Sequence, residues 1–338
     1  MSDKAVVYLT RKVPEDGLAV LEEHCEVHVW PDPVEPSHER LVERVAELEA
    51  DGLFCNVADI VDAAVMDASP NLRAIGTMSV GYDHIDLEAA AERGIAVGHT
   101  PGVLAETTAD LGWALLMAGA RRIVEAHQHV ENDEWKTWGP TVLLGRDVHE
   151  ATLGVVGLGR IGTEFARRAA GFDMEVLYSH TSPNEEAEAD LAEYGIDAEY
   201  CELEELLDRS DFVSLHVPLL EDTYQLIGEA ELERMNDDAI LVNTARGEIV
   251  DTDALVNALE TDEIRHAALD VSDPEPIGSD HPLMAHAPEK LTIAPHIGSA
   301  SMETRSEMAV MTAENVLAGL RGETPPYSAF KDAGIEKN

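Results

Sequence analysis

The sequence predicts an α/β protein built as two doubly wound parallel-sheet domains, and three observations carry that expectation. Apolar β-type runs alternate with stretches of helical apolar spacing along most of the chain, the pattern of a parallel sheet covered by helices on both faces. At 338 residues the chain exceeds the size of one ordinary core. One strand, Thr152 to Val156, runs through a glycine-rich turn into a helix, Ile161 to Ala170. In that turn Gly157, Gly159 and Gly162 have G-x-G-x-x-G spacing. The three glycines serve in order a tight turn, close backbone approach to a pyrophosphate, and tight packing of helix on strand. The helix start at Leu158, Gly159, Arg160 and Ile161 adds free N–H groups and the positive end of the helix dipole.

Taken in order, Ala5 to Leu9 reads as a strand, Pro14 to Glu23 as a proline-opened amphipathic helix and Glu26 to Trp30 as a second strand. Helices at His38 to Glu49, Val61 to Ala68 and Leu87 to Arg93 then alternate with strands at Gly52 to Cys55, Leu72 to Met78 and Ile95 to Gly98. This first unit has no phosphate-binding fingerprint. A long Ala-rich helix follows from Leu104 to Arg122 and continues as polar helix through His127 and His129, after which Trp135 and Trp138 stand in a polar loop. Tryptophans in an otherwise polar loop suit a contact with another molecule.

Beyond the glycine turn, strands are expected at Glu175 to Tyr178, Phe212 to Val217, Ala239 to Asn243, Ala267 to Val271 and Leu291 to Ala294. With Thr152 to Val156 these make a six-stranded unit. Helices are expected at Asn184 to Glu193, Leu203 to Arg209, Glu229 to Met235 and Thr252 to Leu259. A closing helix, Met302 to Leu317, has Gly319 as its stop signal, and the segment from Gly322 onward reads as a surface-laid tail.

Net charge is −44, from 67 acidic and 23 basic residues, of which 17 are Arg and six are Lys. A polyanionic nucleic acid would be repelled, so it is excluded as a partner. The acids are spread along the chain, which fits a whole surface solvated for high salt; an acidic docking face for a basic partner would instead cluster them. Cys25, Cys55 and Cys201 are odd in number and lack C-x-x-C spacing, and the histidines at 127 and 129 lack further ligands at suitable spacing, so neither a disulfide framework nor a metal site is expected. With no signal peptide and no apolar run long enough for a bilayer, a cytoplasmic protein is expected.

Five segments occur in an order that resembles a known family: Thr77-Met-Ser-Val-Gly-Tyr-Asp-His84, Leu158-Gly-Arg-Ile-Gly162, Asn243-Thr-Ala-Arg-Gly247, Leu269-Asp-Val271 with Glu275-Pro276, and Pro295-His-Ile-Gly-Ser299. From about Val6 to Pro326 the chain is similar to the D-isomer-specific 2-hydroxyacid dehydrogenases, and most to the glyoxylate/hydroxypyruvate reductases among them. The resemblance implies a Rossmann cofactor domain at 103–299, inserted in a flavodoxin-like substrate domain at 1–102 and 300–330. A tail at 331–338 and a homodimer complete the expectation.

Reduction of a 2-keto acid needs a hydride donor, a proton donor for the carbonyl oxygen and a cation for the carboxylate. Arg246 follows a strand end at Thr244-Ala245, where α/β sheets place ligands, and its planar guanidinium can grip carboxylate and keto oxygens together. By resemblance His296 is the general acid in reduction and the base in reverse, a role suited to a side chain that titrates near neutrality. The same resemblance implies that Glu275 is the carboxylate that orients it. Val80 and Gly81 would hold the substrate carboxylate by backbone N–H groups, and Trp138 resembles an aromatic that reaches a partner subunit's active site and limits bulky 2-keto acids.

For the cofactor, the resemblance adds Asp270 at the nicotinamide amide and Val217 and Pro218 on the adenosine side. Thr108, Thr244, Ala245, His296 and Gly298 complete the set. An acid about 20 residues beyond the glycines would hold an NAD ribose; here Ser179, His180 and Thr181 stand instead, neutral donors that could accept a 2′-phosphate. NADPH is therefore favoured and NADH remains open, because no arginine stands in that loop and only Arg160 is near. The expected activity is NAD(P)H-dependent reduction of glyoxylate and hydroxypyruvate. A short-form 3-phosphoglycerate dehydrogenase and a non-catalytic NAD(P)-sensing protein are the alternatives.

Overall fold

The computed structural model describes residues 4–335. The first three and last three residues, which belong to the expected substrate domain and tail, lie outside the described residues. In chain order the elements begin β1 (Val6–Leu9), α1 (Glu15–His24), β2 (Glu26–Val29), α2 (His38–Glu47), β3 (Gly52–Cys55), α3 (Ala63–Asp67), β4 (Ala74–Thr77), α4 (Leu87–Glu92) and β5 (Ala96–Gly98). There follow α5 (Ala105–Ala120), α6 (Ile123–Glu131), β6 (Thr152–Val156), α7 (Arg160–Arg167), β7 (Glu175–Ser179), α8 (Glu185–Glu193), β8 (Ala198–Tyr200) and α9 (Leu203–Arg209). The remainder comprises β9 (Phe212–Leu215), α10 (Glu229–Leu232), β10 (Ile240–Asn243), α11 (Thr252–Glu260), β11 (His266–Leu269), β12 (Leu291–Ile293), α12 (Met302–Leu320) and α13 (Ala329–Asp332).

Two compact units result, one formed by the chain up to Leu104 together with the chain from Ser299 onward, the other by Ala105–Gly298. The first holds a five-stranded sheet in the order β2-β1-β3-β4-β5, all parallel. This is the flavodoxin-like doubly wound order. Apolar clusters cover both faces, one around Leu53, Ile75 and Val97, the other around Phe54, Ala313 and Val316 of α12.

The second unit holds seven parallel strands in the order β12-β11-β10-β9-β6-β7-β8. Counted from β6, this is the Rossmann order extended by one strand, and the order reverses between β6 and β9. Register fixes what emerges where. Val156 pairs with Ser179 and with Leu215, and Asn243 pairs with Leu269, which pairs with Ile293. The glycine turn, the segment after β7, Val217-Pro218, Thr244 to Arg246, Asp270 and His296 therefore all leave the sheet at its carboxyl edge, where ligands of such sheets bind.

Several expectations are corrected. The second unit has seven strands rather than six: β8 is only three residues long, and its polar Glu199 hid it from an apolar-pattern reading. The long helix after Leu104 is broken, because Arg122 takes a left-handed φ of 53° and its guanidinium pairs with Glu125, so α6 starts afresh. Gly319 does not stop α12. A Cβ there would lie 2.8 Å from Ala74 and 2.9 Å from Ala96, so this glycine lets the helix press onto β4 and β5. The left-handed residue beyond the helix end is Gly322, φ +75°. The expected surface tail is instead tucked in: Ala329 and Phe330 of α13 are buried, and Ser328 bridges to Gly98.

Candidate active site

The glycine turn has the geometry of a pyrophosphate cradle. Gly157 has φ +96° and its N–H donates to the Ser179 carbonyl at 2.8 Å; a Cβ there would strike the His216 backbone and Val217. A Cβ on Gly162 would lie 2.1 Å from the Gly157 carbonyl, so α7 packs on the strand only through a glycine. Gly159 differs. Nothing lies within 4 Å of where its Cβ would be, and as N-cap of α7 it offers no side-chain cap to the helix amides. Open space beside uncapped N–H groups fits the pyrophosphate of a dinucleotide. Leu158 is buried, Ile161 half-buried, and Arg160 is exposed on the first turn of α7.

At the end of β7 and just past it, Ser179 and His180 are half-buried and Thr181 is exposed. Asn184, legible in the sequence only as a helix start, ties this segment to the glycine turn. Its Nδ2 donates to the Leu158 carbonyl at 2.8 Å, its Oδ1 caps the Ala187 amide at 3.2 Å, and its N–H donates to the Tyr178 hydroxyl at 2.9 Å. That hydroxyl in turn donates to Glu188. Val217 is half-buried beside Gly157, and Pro218 is exposed.

At the other half of the edge, Asn243 shapes the segment after β10. Its Oδ1 accepts the Ala245 amide at 2.9 Å and its Nδ2 donates to the Arg246 carbonyl at 2.8 Å. Gly247 presses against Ser272, 2.1 Å from its carbonyl carbon to an ideal Cβ. Arg246 Nη1 donates to the Ala245 carbonyl at 2.8 Å. The Thr244 hydroxyl is enclosed and, among the described residues, lacks a hydrogen-bond partner. An orphaned hydroxyl at a ligand-binding edge fits a polar ligand group.

Asp270, 1 % exposed, builds the turn that carries His296. Its two carboxylate oxygens accept the Ile297 and Gly298 amides, each at 2.7 Å, while its own carbonyl accepts the His296 amide at 2.8 Å. Burial raises the Asp270 pKa against the lowering effect of these amides and of His296. His296 is thereby held at φ +53°, a left-handed conformation costly for a residue with a side chain. Thr108, buried on α5, stands beside Gly298, 3.2 Å from where a Cβ on that glycine would lie.

His296 Nδ1 lies 2.6 Å from Glu275 Oε1. A carboxylate can only accept, so Nδ1 donates, which leaves Nε2 for a substrate oxygen. Glu275 Oε2 takes the Ser272 amide at 3.4 Å. Burial would raise the Glu275 pKa; the His296 hydrogen bond and charge, the Ser272 amide and the Arg246 charge outweigh it, and the net shift is downward. Histidine, glutamate and arginine thus come together in one unit. In the other unit, Val80 and Gly81 lie just past β4, Val80 buried and Gly81 half-buried. Trp138 is 81 % exposed, on the loop after α6.

Residues 113–298, more than half the chain, match the NAD binding domain of D-isomer specific 2-hydroxyacid dehydrogenases. A glyoxylate reductase from Korarchaeum cryptofilum is 51% identical over 324 residues, 96% of this chain and 95% of the relative. Among solved structures, a Thermus thermophilus protein is 45% identical with a TM-score of 0.86, covering 96% of this chain and 99% of the other. An NADPH-dependent glyoxylate/hydroxypyruvate reductase from Sinorhizobium meliloti is 28% identical with a TM-score of 0.81, covering 96% and 98%. The glycine cradle, the histidine–glutamate pair and this likeness over nearly the full length agree: the chain belongs to the D-isomer specific 2-hydroxyacid dehydrogenases, oxidoreductases that carry an NAD-binding domain.

Proposed function

We propose that this protein is a cytoplasmic, NADPH-preferring reductase of small 2-keto acids, converting glyoxylate to glycolate and hydroxypyruvate to D-glycerate. The observation that carries the reading is the 2.6 Å contact between His296 Nδ1 and Glu275 beside Arg246 at the carboxyl edge of the sheet. Bound at the glycine turn, the reduced nicotinamide cofactor supplies a hydride. Arg246 grips the substrate carboxylate and keto oxygen, and the Val80 and Gly81 amides take the carboxylate. His296 Nε2 gives its proton to the carbonyl oxygen as negative charge develops there, and Glu275 stabilises the imidazolium that holds this proton beforehand. NADPH is favoured by the want of any carboxylate from Ser179 to Thr181, where Ser179, His180 and Thr181 offer donors to a 2′-phosphate, with Arg160 on the neighbouring helix turn. The glycine-turn residues 157–162, Thr108, Thr244, Ala245, Val217, Pro218, Asp270 and Gly298 line the cofactor in this reading.

The partner is a second copy of the chain. Helix α6 buries none of its residues, and Ile123, Val130, Trp135, Trp138, Val142 and Leu144 stand exposed on it and on the loop that follows. A set of apolar side chains this dense on a chain of net charge −44 supports a covered face. Trp138 in this reading narrows the partner's substrate site. The spread of acids supports a working environment of high salt.

Initial rates with glyoxylate, hydroxypyruvate, pyruvate, phenylpyruvate and 3-phosphohydroxypyruvate, each with NADPH and NADH in molar KCl, test the reading. The two small acids with NADPH should give the highest kcat/KM, and Trp138→Ala should relax the preference against phenylpyruvate. A higher kcat/KM with NADH overturns the cofactor assignment, and a best rate with 3-phosphohydroxypyruvate overturns the substrate. Cofactor binding without turnover of any acid would identify a nucleotide sensor. Stability that falls as KCl rises would remove the high-salt reading.

A further inference from the structure

Three consecutive carbonyls just past β4 are each engaged by a donor. The Ser79 carbonyl accepts the Thr100 amide at 2.8 Å, the Val80 carbonyl accepts His99 Nδ1 at 2.9 Å, and the Gly81 carbonyl accepts the Ser79 hydroxyl at 2.6 Å. In a trans peptide the C=O and the following N–H point in opposite directions. The N–H groups of Val80 and Gly81 therefore face away from His99 and Thr100, and among the described residues neither donates to a protein acceptor. Successive amides turned to one side make an anion-binding concavity.

The donors behind these carbonyls have a fixed direction. Ser79 has one hydroxyl proton and spends it on the Gly81 carbonyl, so in its 2.7 Å contact with Thr77 Oγ1 it accepts. Thr77 thereby spends its own proton, and in its 2.9 Å contact with His84 Nε2 it accepts as well. Protons run one way, from His84 through Thr77 and Ser79 to the Gly81 carbonyl. His99 is held as firmly. Its ring is buried, its N–H donates to the Tyr327 carbonyl at 3.0 Å, and its carbonyl accepts Asn315 Nδ2 at 2.8 Å. On its far side Nε2 lies 3.1 Å from Asp332 of α13, off the line of a hydrogen bond.

We propose that His99 and the His84–Thr77–Ser79 chain are positioning residues: His99 keeps the Val80 carbonyl turned inward and so presets the Gly81 N–H, and the chain pins the next peptide, Gly81–Tyr82, so that the Gly81 N–H and the Val80 N–H, the latter turned by the Thr100 contact to the Ser79 carbonyl, stay aimed at the carboxylate of a 2-keto acid. The proposal rests on the function given above for this loop. A carbonyl that swung outward would replace a donor with an acceptor and repel the anion; the buried donors prevent that before substrate arrives, which is preorganisation of the binding groups.

Thr77→Val keeps shape and removes the relay, His99→Leu removes the donor to Val80, and His99→Asn returns a donor at nearly the place of Nδ1. Glyoxylate KM should rise about 5-fold in Thr77→Val and about 10-fold in His99→Leu, the scale of one lost hydrogen bond that leaves a partner unsatisfied. Cofactor KM should not move and kcat should stay within about 2-fold, the signature of lost uniform substrate binding. His99→Asn should restore most of the affinity. Calorimetric titration of the cofactor-loaded protein with oxalate, which binds by its carboxylates and does not react, should follow the same order. If the unsubstituted protein reduces no 2-keto acid yet binds oxalate, the function reading fails and the oxalate series decides the positioning proposal alone. Oxalate affinity unchanged in folded Thr77→Val and His99→Leu, no oxalate binding at all, or equal losses in cofactor KM and kcat overturn it. Should His99→Leu not fold, Thr77→Val and His99→Asn carry the test.

Discussion

Two turns at the same sheet edge are made by opposite means. The turn after β6 is shaped by what is missing: three glycines clear space for a tight bend, an open cradle and a close helix, and Gly159 leaves nothing within 4 Å. The turn after β12 is shaped by what is present: the buried Asp270 carboxylate takes two amides at 2.7 Å and holds His296 at φ +53°. The first leaves backbone amides uncovered beside open space, with Gly157 and Gly162 admitting no side chain; the second spends conformational strain to aim one side chain. Under the proposed function, binding the cofactor and aiming the proton donor then depend on different residues and should be separable by mutation.

The largest effect belongs to the side chain the second turn exists to aim. His296→Gln should lower kcat by about 10³-fold, the usual worth of a positioned acid–base group, while cofactor affinity, read by fluorescence titration, stays near its original value. A kcat within tenfold of the unsubstituted protein would remove His296 from proton transfer.

Next in size, the glycines themselves should divide. Gly159→Ala adds a methyl where the protein has only open space, at a φ of −84° that alanine adopts freely. Its melting temperature should hold while cofactor Kd rises about 30-fold, because the methyl occupies the ligand's place. Gly162→Ala puts a Cβ 2.1 Å from the Gly157 carbonyl and should lower melting temperature and affinity together. Equal stability losses in both would mean that the space at Gly159 serves packing, not a ligand.

A smaller loss is expected from Asp270→Asn. Asparagine has one acceptor oxygen, so one of the Ile297 and Gly298 amides would face an NH₂ group in a buried place. Here kcat should fall about 10-fold with cofactor affinity changed less, since the turn loosens without losing its histidine. If cofactor affinity fell first and kcat held, Asp270 would belong to the cradle rather than to the aiming of His296.

The same contrast explains what the sequence made legible. Parallel sheets were readable from apolar runs, and the cradle from glycine spacing, because both are local patterns of three to ten residues. Arg246 and His296 stood out at strand ends but took their roles from the resemblance, and Glu275 rested on it alone, since in so acidic a chain nothing local separates it from the other acids. The roles of Asn184, Asn243 and His99 escaped notice because their work is to hold backbone atoms 2 to 26 residues away, which no spacing rule reports. Strand β8 and the true end of α12 were missed for a related reason. An edge strand of three residues has little apolar signal, and Gly319 looks like a helix stop until the alanines it packs against, Ala74 and Ala96, are seen beside it.

The smallest effect concerns the charge beside the aimed histidine. Glu275→Gln keeps an acceptor for Nδ1, so the ring stays oriented, yet it removes the negative charge. The Glu275 pKa is lowered in the folded protein, burial being outweighed by His296, Ser272 and Arg246. A carboxyl whose folded pKa is depressed contributes stability above its unfolded value and loses it as pH falls through the folded value. Melting temperatures of the two proteins should therefore differ by about 1–2 °C near neutrality, a modest gap because the pair is partly exposed to solvent. The gap should close on acidification below the ordinary glutamate range, where both carry a neutral side chain at this position. A difference that persisted undiminished in acid would mean that the glutamate acts through shape, and that His296 is aimed by Asp270 without help from the charge at Glu275.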